Sequence, residues 1–231
     1  MKICRLLALV ICFLPSWIAA QNRAALDFQF GVHQSGLIVK NPILQGEYIE
    51  NLGYSAGLHF NYRIGDKTWL RSGVRYSVLG YKTPKKVLRW GTDFDPVTGL
   101  PREDSIQILS QFIYNHRYFE IPILGHFNFT SSKVAVFTEF GFSSNFYLNT
   151  EDVYKKGSAV ESRSIQKDPV ANPLHFAILG ALGINYQLGN QNSLFFQTNI
   201  RRGISPGNDG KRSSSYLYSY GLDLGTRFLL N

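Results

Sequence analysis

Residues 55–78 read Ser-Ala-Gly-Leu-His-Phe-Asn-Tyr-Arg-Ile-Gly-Asp-Lys-Thr-Trp-Leu-Arg-Ser-Gly-Val-Arg-Tyr-Ser-Val. Ala56, Leu58, Phe60, Tyr62 and Ile64 alternate with Ser55, Gly57, His59, Asn61 and Arg63. Beyond Gly65-Asp66-Lys67, the residues Leu70, Ser72, Val74, Tyr76 and Val78 alternate with Arg71, Gly73, Arg75 and Ser77. Successive side chains of a β-strand point to opposite faces, so a period of two predicts two ribbons, each with an apolar and a polar side. A link this short joins antiparallel neighbours.

Six further stretches carry the same alternation: Leu26–His33, Tyr118–Phe129, Val134–Ser143, Phe176–Leu188, Leu194–Arg201 and Tyr216–Phe228. Most reach the roughly 9 to 11 residues that a strand needs to cross a bilayer. The links after the second, fourth and sixth stretches are tight, at Gly65–Lys67, Thr130–Lys133 and Gly189–Asn192. The links after the first, third, fifth and seventh are long. Short turns at one end and long loops at the other are the layout of an outer-membrane barrel. The expected fold is all-β: an eight-stranded antiparallel up-and-down transmembrane β-barrel, with both termini in the periplasm.

A soluble lipocalin-like barrel would also have two-faced strands, with the apolar face turned inward. The polar face argues against it, because Gly57, Gly73, Ala135, Gly141, Ala177, Ala181, Gly183, Gly221 and Gly225 lie on it. Small residues weaken a strand and gain nothing from facing water. They suit a lumen barely wide enough for side chains. There they leave room for Arg63, Arg71, Arg75 and Arg227 to cross. Pro122 cannot donate to a ladder, so an irregularity is expected beside it. Phe112–Arg117 has the wrong parity for the strand that follows, which points to a bulge or an extension beyond the membrane.

The N-terminus carries Lys2 and Arg5, an apolar run from Leu6 to Leu14, and the small residues Ala19 and Ala20. This is the pattern of a secretory signal cleaved after Ala20, and the run is too short to span a bilayer as a helix. The expected organisation is a signal over residues 1–20 and one barrel domain over 21–231, exported to the cell outer membrane. Cys4 and Cys12 both fall within the signal, so disulfide, thiolate-metal and cysteine-nucleophile chemistry drop out together. The net charge of +8 is spread among acids in the loops. No dense basic run interleaved with aromatics stands out, so nucleic acid is not an expected partner.

The segment Tyr118-Phe119-Glu120-Ile121-Pro122-Ile123-Leu124 resembles the aromatic-Leu-Glu-Ile-Pro-Leu-Leu signature of the PorT-like outer-membrane β-barrel family, a porin-family group of Gram-negative bacteria. The ending Tyr220-Gly221-Leu222-Asp223-Leu224-Gly225-Thr226-Arg227-Phe228 is similar to that family's closing strand, although Leu229-Leu230-Asn231 follow the aromatic residue. The resemblance implies an eight-stranded barrel inserted by barrel-assembly machinery. The family's namesake is implicated in secretion across the outer membrane, a role that no residue here carries by itself.

Nine residues form the expected lumen network: Arg63, Arg71, Arg75, Glu120, His126, Glu139, Arg201, Asp223 and Arg227. Pairing through the Thr130–Lys133 turn would set Glu139 diagonally across from His126, within cross-strand reach. A carboxylate beside an imidazole serves acid/base catalysis. It equally serves a narrow polar interior, where buried charges must be paired, and this structural role is the expected one. A lipid hydrolase would want a Ser near a His at the lipid boundary, yet His126 and Ser143 are both expected to face inward. His59, His116 and His175 have no evident nucleophile beside them. No zinc motif, phosphate-binding glycine loop or GxSxG is present, so neither cofactor nor metal is expected. Asp93 and Asp95, in a turn-like segment of the loop Lys82–Ser110, give only thin grounds for a calcium site. The same segment could cap a hairpin above the membrane. The loop Asn149–Leu174, and the last loop with Arg202, Lys211 and Arg212, hold the remaining polar residues. The expected role is non-enzymatic: a surface or membrane-structural protein that meets lipid around its girth and a partner through its loops. The alternatives are an accessory part of a secretion or transport assembly, or a lipid-modifying enzyme.

The apolar stripe requires detergent or lipid for folding. Unheated and boiled samples of the folded protein should therefore migrate differently in SDS gels. A stable water-soluble monomer would contradict the membrane reading.

Overall fold

The computed structural model describes residues 24–40, 48–90, 97–99, 106–130, 132–156, 159–165, 172–189, 191–206, 208–210 and 213–230. The strands are β1 (Ala24–Val39), β2 (Ile49–Arg63), β3 (Thr68–Lys82), β4 (Lys86–Trp90), β5 (Ile106–Asn128), β6 (Val134–Lys156), β7 (Ala159–Ile165), β8 (Leu174–Gln187), β9 (Asn192–Gly203), β10 (Asn208–Gly210) and β11 (Ser213–Leu230). Eight of them close a ring in the order β1, β2, β3, β5, β6, β8, β9, β11 and back to β1, every pairing antiparallel. The closing seam between β1 and β11 runs from Ala24 opposite Leu230 to Val39 opposite Ser215. In lipid no water is available for an unpaired strand edge, so closure is what makes these strands stable there.

Burial along the strands is inverted relative to a water-soluble protein. On β1, Asp27 is 0% exposed while Phe28 is 51% exposed, and the alternation continues through Gln29, Phe30 and Val32. The outer surface is therefore a belt of Phe, Leu, Ile and Val, and the inner surface carries the charges.

The three short turns lie where the spacing predicts. Ile64 N–H and Gly65 N–H both donate to Thr68 O, and Leu188 N–H donates to Asn192 O, so these two links reverse the chain with few residues. The turn after β5 is wider, with Phe129 N–H donating to Val136 O and Val136 N–H donating to Thr130 Oγ1. That geometry shifts the register, so His126 lies directly opposite Glu139 and not diagonally.

At the opposite end two expected loops turn out to carry strand. β5 and β6 are 23 residues each, about twice a membrane crossing. β4 pairs with the far part of β5, and β7 with the far part of β6. A four-stranded sheet thus stands beyond the ring. The segment Asn149–Leu174 is for its first half a hairpin, with Tyr154 on β6, and Arg202 lies on β9 and not in the last loop. The Val97-Thr98 turn ends at Gly99, whose φ of 66° suits glycine. The expected signal over residues 1–20, Asp93 and Asp95, and Lys211 and Arg212 lie outside the described residues.

The parity break has a local cause. β5 runs on without a bulge, and the extra residue is Leu148 on β6, between Tyr147 opposite Tyr118 and Asn149 opposite Arg117. Beyond the lipid belt, polar-in and apolar-out alternation is no longer enforced, so Phe112 and Tyr114 face the axis side. Beside Pro122 the register of β3 against β5 holds, but Gly73 and Val74 are left out of the ladder and Ser72 Oγ donates to Pro122 O at 2.9 Å.

Leu182, 56% exposed on β8, faces outward. Leu182→Arg should destabilise the folded barrel by roughly 2 to 4 kcal/mol near the bilayer midplane, measured as a shift in denaturant unfolding in lipid. A shift within about 0.5 kcal/mol, the range for an ordinary surface change, would place this face elsewhere.

Candidate functional site

The interior fills in layers. Toward the short turns, Phe137 and Phe195 are buried and lie across glycines: a Cβ on Gly183 would come within 2.5 Å of the Phe137 ring, and one on Gly225 would collide with the Phe195 ring. This is the use of the small inward residues. The ring of Phe195 has the Arg71 guanidinium at 5.3 Å and that of Arg227 at 5.9 Å, both within cation–π range.

Ion pairs cross the bore beside these rings and beyond them. Arg227 donates through Nε to Asp27 Oδ1 at 2.8 Å and through Nη2 to Oδ2 at 2.9 Å, a forked pair across the β1–β11 seam. Arg71, from β3, donates Nη1 to Glu139 Oε1 of β6 at 2.6 Å and Nη2 to Gln29 Oε1 of β1 at 2.5 Å. The same Glu139 oxygen meets His126 Nδ1 at 2.9 Å. Farther along, Glu120 of β5 sits between two guanidiniums. Arg75 Nε donates to its Oε2 at 2.6 Å, Arg201 Nη1 donates to its Oε1, and Arg201 Nη2 goes on to Asn145 Oδ1 at 2.6 Å. Toward the hairpin end the lining turns apolar, with Leu79, Tyr118 and Leu217 buried against Leu37, Tyr81 and Tyr147.

Of the nine expected network residues, the structure brings together Arg71, Arg75, Glu120, His126, Glu139, Arg201 and Arg227. Asp223 faces inward but takes a hydrogen bond from Gln197 Nε2 at 3.0 Å, with no ion pair of its own among the described residues. Arg63 is a correction: it sits at the short-turn rim, donating to Gly65 O at 3.2 Å and reaching Asp66, with its side chain 40% exposed. β2 ends at Arg63, so the residue that closes its polar face is already at the rim. Asp27 was missing from the expected set. Its place between Leu26 and Phe28 was the signal that could have found it.

As chemistry, one oxygen of Glu139 meets both His126 and Arg71, and all three residues are buried. The arrangement is that of charges neutralised in a narrow bore. Ser143 Oγ donates to Asn145 Oδ1 at 3.0 Å. Among the described residues, no group of three or more His, Cys, Asp or Glu is placed to hold a metal ion.

A second feature escaped the sequence reading. On the axis side of the projecting sheet, Tyr48, Tyr81, Tyr114, Phe112 and Tyr154 form a chain of rings with centroid separations of 5.0, 5.0, 6.5 and 4.6 Å. Their order follows the register, Tyr81 opposite Tyr114 and Phe112 opposite Tyr154. The sequence spacing hid it because Leu148 shifts the parity of β6.

A ring of eight antiparallel strands, apolar outside and ion-paired within, defines an outer-membrane barrel of the smallest common size. The sequence model of the outer membrane protein beta-barrel domain matches residues 19–207, and the chain belongs to that family. No curated protein matches the sequence. Among solved structures, neisserial surface protein A is 14% identical with a TM-score of 0.45, covering 89% of this chain and 98% of its own. The attachment invasion locus protein Ail of Yersinia pestis is 13% identical with a TM-score of 0.37, covering 89% and 99%. The outer membrane protein OprG of Pseudomonas aeruginosa is 9% identical with a TM-score of 0.43, covering 90% and 97%.

Arg71→Met should leave Glu139 buried without its main partner and cost about 3 to 5 kcal/mol, whereas the double change Arg71→Met with Glu139→Leu should recover much of that loss. Unfolding of the refolded barrel in detergent measures both. A single variant as stable as the parent would show that the pair is solvated.

Proposed function

We propose that this protein is a non-enzymatic surface protein of the outer membrane that acts through the sheet projecting beyond its barrel, with that sheet on the cell exterior. The observation that carries the reading is the pairing of a filled bore with two strands, β5 and β6, that run far beyond a membrane crossing. Side chains and ion pairs occupy the interior, so the scaffold offers no route through itself. The four-stranded extension, with its chain of aromatic rings, is where a rigid support meets the surroundings. Recognition commonly sits on such projections from a stable frame. Export behind a cleaved signal over residues 1–20 and insertion by the barrel-assembly machinery belong to this reading. Outer-membrane lipid is its partner around the belt, and a protein partner would meet the projecting sheet.

A second reading, an accessory part of a secretion or transport assembly, is favoured by the Tyr118–Leu124 resemblance to the PorT-like barrels. In the structure that segment supplies Glu120 to the ion-paired layer, so its sequence also answers to the needs of the lumen. The lipid-modifying reading gains less, because His33, His59, His116, His126 and His175, the chain's five histidines, are all buried within the ring.

Epitope tags placed at the Val97–Gly99 turn should be reached by antibody on intact cells, while tags in the Gly65–Lys67 turn should need permeabilised cells. The reverse pattern would invert the topology and remove the functional assignment. Shortening the β4–β5 or β6–β7 hairpin should leave heat-modifiable folding intact and abolish binding of any partner that co-purifies with the barrel. If such a partner still bound, the projecting sheet would not be its site.

A further inference from the structure

One row of residues across the barrel holds mostly small side chains. Following the register, Gln197 of β9 lies opposite Asp223 of β11, Asp223 opposite Gly31 of β1, Gly31 opposite Ser55 of β2, and Ser55 opposite Ser77 of β3. Paired residues in a sheet share a face, so all five point inward. Glycine and two serines leave space that larger residues fill in the layers on either side. A Cβ on Gly31 would collide with the Asp223 carboxylate and come within 3.1 Å of Ser55 Oγ, so the carboxylate occupies the room that the glycine leaves.

The result is an interior cavity lined by Ser55, Ser77, Gln197, Asp223, Arg75 and Arg201, among others. Four buried polar atoms of its lining have no hydrogen-bond partner among the described residues: Arg201 Nε and the three oxygens Asp223 Oδ1, Gln197 Oε1 and Ser77 Oγ. The residues of those oxygens are 1%, 3% and 1% exposed. Buried polar groups in folded proteins are satisfied, and an oxygen of a carboxylate is among the costliest to leave bare. The space open to water centres is about 30 Å³, where one bound water takes about 10 to 15 Å³ on the same measure.

We infer that this cavity is a binding site for about two water molecules, which bridge Asp223, Gln197 and Ser77 and are held between the Glu120 layer and the Arg71–Glu139 layer. The charges around it choose water over a metal cation. Four inward carboxylates, Asp27, Glu120, Glu139 and Asp223, face four inward guanidiniums, Arg71, Arg75, Arg201 and Arg227. The bore is already neutral, and a further cation would stand uncompensated beside Arg75. Water donates to Asp223 Oδ1 and Gln197 Oε1 while leaving the balance unchanged. The site is independent of what the projecting sheet binds, so it stands or falls apart from the surface role.

A crystal structure of the refolded full-length barrel in detergent, with one crystal soaked in thallium(I), tests it. The expected result is ordered density within hydrogen-bond distance of Asp223 Oδ1 and Gln197 Oε1, with no anomalous peak in the cavity after the soak. An empty cavity, or an anomalous peak beside Asp223, would overturn the inference. A solution measurement stands beside it: amide protons of Gly31, Ser55 and Ser77 should show cross-relaxation with long-lived water in the parent protein. In Ser77→Leu, which fills the cavity, that signal should disappear. Its absence in the parent, or its persistence in a folded Ser77→Leu barrel, would contradict the site.

Discussion

Eight strands closed on themselves leave a bore that side chains fill, and any charge placed there must be neutralised by another. Much of the interior follows from that constraint. Closure is imposed by lipid, which cannot hydrogen-bond a free strand edge. Once the ring is closed, the inward positions of each strand share one narrow space, and their chemistry becomes interdependent. Arg71 of β3 is held by residues of β1 and β6, and Glu120 of β5 is held by β3 and β9. These links span positions far apart in the chain and tie opposite walls together.

The same narrowness explains why glycine and alanine alternate with the charges. Where an aromatic ring lies flat across the bore, as with Phe137 over Gly183, the facing wall must be bare. Where no large side chain is supplied, as along the Gly31, Ser55 and Ser77 row, a polar cavity remains. The interior therefore follows a balance between volume and charge, with the Leu79, Tyr118 and Leu217 layer sealing it toward the hairpin end.

The strands and their inward faces were legible because lipid enforces alternation: Phe28 and Leu182 had to face out, and Arg71 and Glu139 had to face in. Legibility faded where that pressure stops. Arg63 has the parity of a lumen residue but sits at the rim, where water solvates it. The register between β5 and β6 depended on the hydrogen bonding of Thr130, which periodicity does not encode. The projecting hairpins read as loops because, outside the membrane, neither face has to be apolar, and the Leu148 bulge broke the parity of β6 where its projecting part begins. Asp27 was visible but stood in a stretch read for its apolar partners, and its value emerged only when closure brought Arg227 beside it.

A filled bore and a long projecting sheet divide the molecule into a support and a surface, and the account depends on the bore being shut. Single-channel recording of the refolded barrel in planar bilayers tests this most directly. The ion-paired layers predict no large, steady conductance at neutral pH. A stable open channel of porin size would show that the interior is a pathway and that function lies within the barrel.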